Sequence, residues 1–174
     1  MNEAQEFKPL SEAVIFEKYP KLFRQKDMSL MDSAMCWGLQ CDSGWYWLID
    51  AMCGAIQFNC DFNKTRQVEF TTVKEKYGQL IVYWNFVRTP ETFKDECREN
   101  YDSGLIEGII NSFEVVSNHT CEVCGNRGFL CHHGSWVKTL CFEHAEKLDY
   151  APGDVYFDYD EEPPTEEDIG GINS

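Results

Sequence analysis

The sequence has no histidine before position 119 and no lysine or arginine after position 147. It has no apolar run of the length a membrane span requires, and its acidic start, Met-Asn-Glu-Ala-Gln-Glu-Phe, is the wrong flank for an export signal. No phosphate loop, dinucleotide fingerprint or serine-hydrolase elbow occurs, and no cysteine stands at a recognisable spacing from a base. Positive charge is scarce: 15 basic residues face 30 acidic ones, for a net charge of −15. Nine of the acidic residues lie from Asp149 onward, so the first 148 residues carry 21 against 15. Such a surface repels phosphate backbones and suits a basic protein partner better than direct contact with nucleic acid.

What is present points to a folded chain. Hydrophobic residues make up 43% and aromatics 14% of 174 residues, enough for one compact core and a tail but not for two full-sized domains. Nine cysteines are an odd number for a disulfide framework; with no export signal they fit a reducing cytoplasm, as buried thiols or metal ligands.

The densest chemistry is Cys121-Glu-Val-Cys124-Gly125 followed by Leu140-Cys141-Phe-Glu-His144. Two ligands separated by two residues reach one ion from a single tight turn or helix start, and zinc takes thiolate and imidazole in a tetrahedron. The spacing therefore predicts a Zn2+ site of Cys121, Cys124, Cys141 and His144. Gly125 supplies the backbone freedom that closes such a knuckle. Cys131, His132 and His133 lie in the intervening loop, where one of them is able to replace a ligand or hold a second metal.

Around this site the pattern reads as α+β. Ser11 and Glu12 start a short helix that Pro20 ends. Met28, Met31 and Met35 are expected to fill gaps in a core. A glycine-punctuated turn, Cys36 to Trp45, leads into a helix of about 14 residues carrying Trp45, Leu48, Ile49, Met52 and Ile56, with Asp42 or Ser43 as cap; Cys36 and Cys41 read as buried thiols. Residues 67–73 and 79–87 form a hairpin, the second strand apolar enough to be covered on both faces. Lys64, Arg66, Lys74, Lys76 and Arg88 gather there as a solvated basic patch. A long helix runs from Thr89-Pro90 to about Asn118, then the knuckle, a small hairpin at 129–130 and 136–137, and a closing helix that carries the last two ligands. That order is the order of a treble-clef module. The expected parts are an α+β core over 1–118 with helices on a short antiparallel sheet, a zinc module over 119–148 packed on it, and an acidic tail over 149–174 with little regular structure. In the tail, Tyr156, Phe157 and Tyr159 interrupt the charges of Asp158, Asp160, Glu161 and Glu162; acidic residues with embedded aromatics form a candidate partner-binding segment.

Several segments together, Tyr19-Pro20-Lys-Leu22-Phe23, Cys41-Asp-Ser-Gly-Trp-Tyr46, Val73-Lys-Glu-Lys-Tyr-Gly-Gln-Leu80 and the zinc knuckle, resemble a group of small proteins encoded by bacteriophages and prophages. The resemblance spans roughly residues 19–148 and departs at Ser43, where glycine is expected. It implies a phage setting in a bacterial cytoplasm, with no catalytic assignment. The expected role is a binding protein that engages a host or defence protein, as an acidic inhibitor of one that binds nucleic acid. Two alternatives are an HNH-like metal-dependent nuclease using His132 or His133, and a zinc-stabilised structural phage component.

Overall fold

The structure is a computed structural model and describes residues 10–88 and 96–153. Among them are four α-helices and two small three-stranded sheets. No helix among them is long and apolar enough to cross a membrane.

Helix α1, Glu12–Lys18, begins where Ser11 Oγ accepts the amide of Val14, and it ends at Tyr19 before Pro20. Its inner face buries Ile15. Leu22 and Phe23 follow into the same core, with Phe23 edge-on to Phe70. The three methionines part company: Met35 is fully buried, whereas Met28 is 42% and Met31 93% exposed. Their stretch is a succession of turns around Ser29 to Ser33, so it presents no continuous face to the core.

Strand β1, Leu39–Gln40, pairs parallel to β2, with Leu39 opposite Val73. A single 3-10 turn, Ser43–Trp45, then leads into α2, Tyr46–Phe62, which is 17 residues long. Asp42 precedes the turn without a capping bond from its side chain. Trp45, Leu48, Ile49, Met52 and Ile56 are all fully buried, so the helical period puts the whole stripe on the core.

Strands β2, Val68–Lys76, and β3, Gln79–Phe86, form an antiparallel hairpin closed by Tyr77-Gly78. Both turn residues have positive φ, 56° and 80°, as a two-residue turn matched to strand twist demands. Strand β3 is not covered on both faces: Leu80 and Val82 are buried while Tyr83 and Asn85 are exposed. Of its aromatics only Tyr83 is exposed; Trp84 and Phe86 are partly buried and pack against the core on the same face as Leu80 and Val82. Lys74 lies over Tyr83 and Arg66 over Phe86, at 5.4 and 5.6 Å from the ring centres.

Helix α3, Glu96–Ser117, packs along β3. Its expected start at Thr89-Pro90 lies outside the described residues. Near its C-terminal end, Ser117 Oγ accepts the amide of Leu80 and Glu114 Oε1 the amide of Val82, each at 2.9 Å. The free edge of the sheet is thus satisfied by helix side chains.

The chain then makes the second sheet, in the order β5-β4-β6: β4 is Phe129–His133, β5 Trp136–Leu140 and β6 Ala151–Pro152. Helix α4, Phe142–Lys147, follows β5. Two apolar clusters result, one running from Ile15 to Ile110 and one of Cys121, Phe129, Cys131, Leu140 and Ala145.

Candidate metal centre

Cys121 and Cys124 lie on a tight turn in which the Gly125 amide donates to the Cys121 carbonyl at 2.8 Å. Gly125 has φ +77°, and a Cβ there would stand 2.9 Å from the Gly44 carbonyl oxygen. Both conditions select glycine. Cys141 is the extended residue that caps α4, and its carbonyl accepts the amide of Ala145 at 2.8 Å. One turn on, His144 faces the same point.

The four ligand atoms lie within 4.8 Å of one another. Cys124 Sγ is 3.8 Å from Cys141 Sγ, and Cys121 Sγ is 3.7 Å from His144 Nδ1. Cys141 Sγ is 3.1 Å from the same nitrogen. In a tetrahedron, zinc–sulfur bonds of about 2.3 Å and zinc–nitrogen bonds of about 2.05 Å put two sulfurs about 3.8 Å apart and a sulfur and a nitrogen about 3.6 Å apart, so the first two spacings match the ion and the third needs a small opening. Among the described residues no other group of three or more metal-ligating side chains comes together in this way.

The electrostatics of the group also favour a cation. Burial pushes the Cys121 thiol up, but backbone N–H groups of Cys141, Cys124 and Val123 outweigh it and leave the thiol below its ordinary value. Cys124 is pushed up to about 11, by burial first and then by Cys121 and Cys141 beside it. Thiolates packed this closely disfavour one another's charge, and a dication reverses that sign. The donor set is thus a Cys3His group suited to zinc.

No family model, curated protein or solved structure matches this chain. The assignment of the site therefore rests on its donors and their geometry.

The residues between the two pairs take other places. Cys131 is fully buried with Sγ toward the Phe129 carbonyl, 3.4 Å away, and burial holds its thiol above the ordinary value. His132 and His133 are exposed on β4 and belong to no metal-ligating group among the described residues. His133 Nδ1 lies 2.6 Å from the Asp149 carbonyl, which makes that nitrogen the donor. Cys36 and Cys41 likewise join no such group; burial, followed by Glu122 and Asp42, pushes Cys41 up to about 12. The tail segment Tyr156, Phe157, Asp158, Tyr159, Asp160, Glu161 and Glu162 lies outside the described residues.

What holds the centre against the rest of the chain is a set of contacts that the motifs alone did not show. The Gly44 amide donates to the Glu122 carbonyl at 2.8 Å. A Cβ on Gly44 would come within 2.5 Å of the Cys121 carbonyl oxygen and the Gly125 nitrogen. The Asp-Ser-Gly-Trp turn thus lies directly on the knuckle. The Glu122 side chain, 2% exposed, accepts from the Asp42 amide and from Lys138 Nζ, at 3.1 and 2.6 Å. Burial nevertheless holds the Glu122 carboxyl above its usual range. Thr139 Oγ1 donates to the Gly78 carbonyl at 2.6 Å, tying the tip of the β2–β3 hairpin to β5. The one sequence signal for Lys138 is its period-two alignment with Leu140, which puts it on an inward face. Glu122, between two cysteines, carries no such signal.

Proposed function

We propose that this chain is a phage-type zinc-binding protein that acts by protein–protein contact, as an acidic inhibitor of a host or defence protein with a basic, nucleic-acid-binding surface. The observation that carries the reading is the complete donor set. Three cysteines and a histidine fill a tetrahedron and leave no position for a substrate or an activated water, which is the character of a structural zinc site. The ion then serves to hold the knuckle on which the Asp42–Trp45 turn sits, and the activity belongs to the surface.

The charge supports the class of partner. A net charge of −15, with nine acidic and no basic residues from Asp149 onward, steers the chain toward cationic surfaces. Aromatics within that stretch, Tyr156, Phe157 and Tyr159, offer the anchors that charge alone does not. The phage setting rests on the resemblance of the turn motifs.

The test is capture on the immobilised chain from nuclease-treated host lysate at low and moderate salt. A nucleic-acid-binding protein is recovered, and added DNA or RNA competes it away. Recovery of nothing above background at either salt refutes the inhibitor reading. Incubation with duplex DNA and magnesium or manganese leaves the DNA intact; cleavage lost in His132→Ala or His133→Ala replaces the inhibitor reading with a nuclease.

A further inference from the structure

The tips of the two hairpins enclose a cleft of about 300 Å³, lined by Glu75, Lys76 and Tyr77 from one and Ser135, Trp136 and Val137 from the other. Tyr77 is 73% and Trp136 72% exposed, so two large aromatic side chains stand open to solvent on either side of it. Lys76 Nζ lies 5.3 Å from the Tyr77 ring centre, which adds a cation to the same wall. An aromatic pair beside a lysine suits a peptide segment that is itself aromatic and acidic.

We infer that this cleft is the docking site of the chain's own acidic tail, with an aromatic side chain from 155–159 seated between Tyr77 and Trp136. The place where the described chain ends supports this. The Gly153 amide donates to the Leu130 carbonyl at 2.9 Å, and the Leu130 side chain abuts Gly78, where an added Cβ would meet its Cδ1 at 2.5 Å. The last described residue is therefore separated by Leu130 alone from the hairpin tip that carries Tyr77. Phe157 is four residues further on, a span of about 13 Å when extended. Twenty-one residues follow Gly153, eight of them acidic and none basic, and they hold Tyr156, Phe157 and Tyr159. Tethering makes the encounter intramolecular, so weak contacts suffice to fill the site.

The inference rests on the proposed function in one respect, that the same tail engages a basic partner. Docking then holds the tail in reserve, and a cationic partner must displace it from the cleft.

The test places the photo-crosslinking residue p-benzoylphenylalanine at Phe157 in the full-length chain and maps the products by mass spectrometry after irradiation. Crosslinks within one chain to 75–77 or 135–137 are expected, and Trp136→Ala or Lys76→Glu lowers their yield by about threefold or more. Both side chains are exposed, so these variants leave the fold intact, which circular dichroism verifies. Absence of crosslinks, crosslinks to another face, or crosslinks between two copies each overturns the inference. Binding of a deca-lysine peptide separates it from the proposed function. Docking predicts tighter binding to Trp136→Ala than to the parent chain, and equal affinity overturns docking. If neither chain binds the peptide while the intramolecular crosslinks form, the partner reading fails and docking stands.

Discussion

The indole of Trp45 donates from Nε1 to the carbonyl oxygen of Thr120 at 2.7 Å, although 75 positions separate the two residues. Trp45 is fully buried in the larger core and Thr120 is the residue before the first metal-ligating cysteine. One bond therefore links the packing of α2 to the position of the knuckle. Trp45→Phe keeps most of the apolar contact and leaves the Thr120 carbonyl without that donor. A loss of about 1–3 kcal/mol in urea unfolding is expected, with zinc still retained by elemental analysis.

One zinc per chain is expected in the purified protein. Cys124→Ser and His144→Ala lose it, because each removes one of four donors, whereas Cys131→Ser retains it, because its Sγ faces the Phe129 carbonyl. Removal of the ion by a strong chelator lowers the thermal midpoint by more than about 10 °C, since binding free energy at such a site is folding free energy. An unchanged midpoint after complete removal would show that the ion does not hold the fold.

Gly44 and Gly104 are expected to respond in opposite directions to alanine. At Gly44 the added methyl meets the knuckle backbone within 2.5 Å, and neither segment has a side chain to move aside. Gly44→Ala costs about 3 kcal/mol, the upper part of the range for overpacking. At Gly104, within α3, nothing lies within 4 Å. Gly104→Ala gains about 0.5–1 kcal/mol from helix propensity alone. Paired denaturation curves decide both.

Lys138 and Glu122 form a pair whose carboxylate side is buried, at 2.6 Å. Lys138→Met strands that carboxylate and is expected to cost about 3–5 kcal/mol. Adding Glu122→Gln recovers most of the loss, because the amide still accepts from the Asp42 N–H without burying a charge. A double-mutant cycle measures the recovery; additive losses would mean that the pair does not act as a unit.

Glu114 tests the pH dependence. Burial raises its carboxyl above the model-peptide value of 4.5 and outweighs the Val82 amide bonded to it. A raised folded-state value means that the folded chain binds more protons, so this contribution to stability is fully present below 4.5 and is lost as pH rises through the folded-state value. Glu114→Gln keeps an acceptor for Val82 and removes a negative charge from the C-terminal end of α3, where the helix dipole disfavours it. The variant is expected to be more stable than the parent at pH 7, with the difference vanishing as both are taken to pH 4. A gain that persists at low pH would assign it to something other than ionisation.

Two of these residues mark the boundary between what composition and spacing reveal and what folding adds. Cys121 and Glu122 both help to hold the knuckle, yet only Cys121 announces itself in the sequence. Ligand pairs set two residues apart are a local feature, fixed by the reach of one turn, so the donor set, the knuckle glycine and the order of knuckle, hairpin and helix were legible along the chain. The buried stripe of α2 and the Ser11 start of α1 were legible for the same reason, since helical period and capping act over a few residues. The one-sided burial of β3 was not, because which face of a strand is covered depends on where α3 comes to lie. Nor did spacing tell that Gly44, Trp45, Gly78 and Thr139 meet around the metal centre. Those contacts join segments tens of residues apart, and each ends on a backbone carbonyl, a group that every residue carries, so only the closed tertiary structure selects which of them is used.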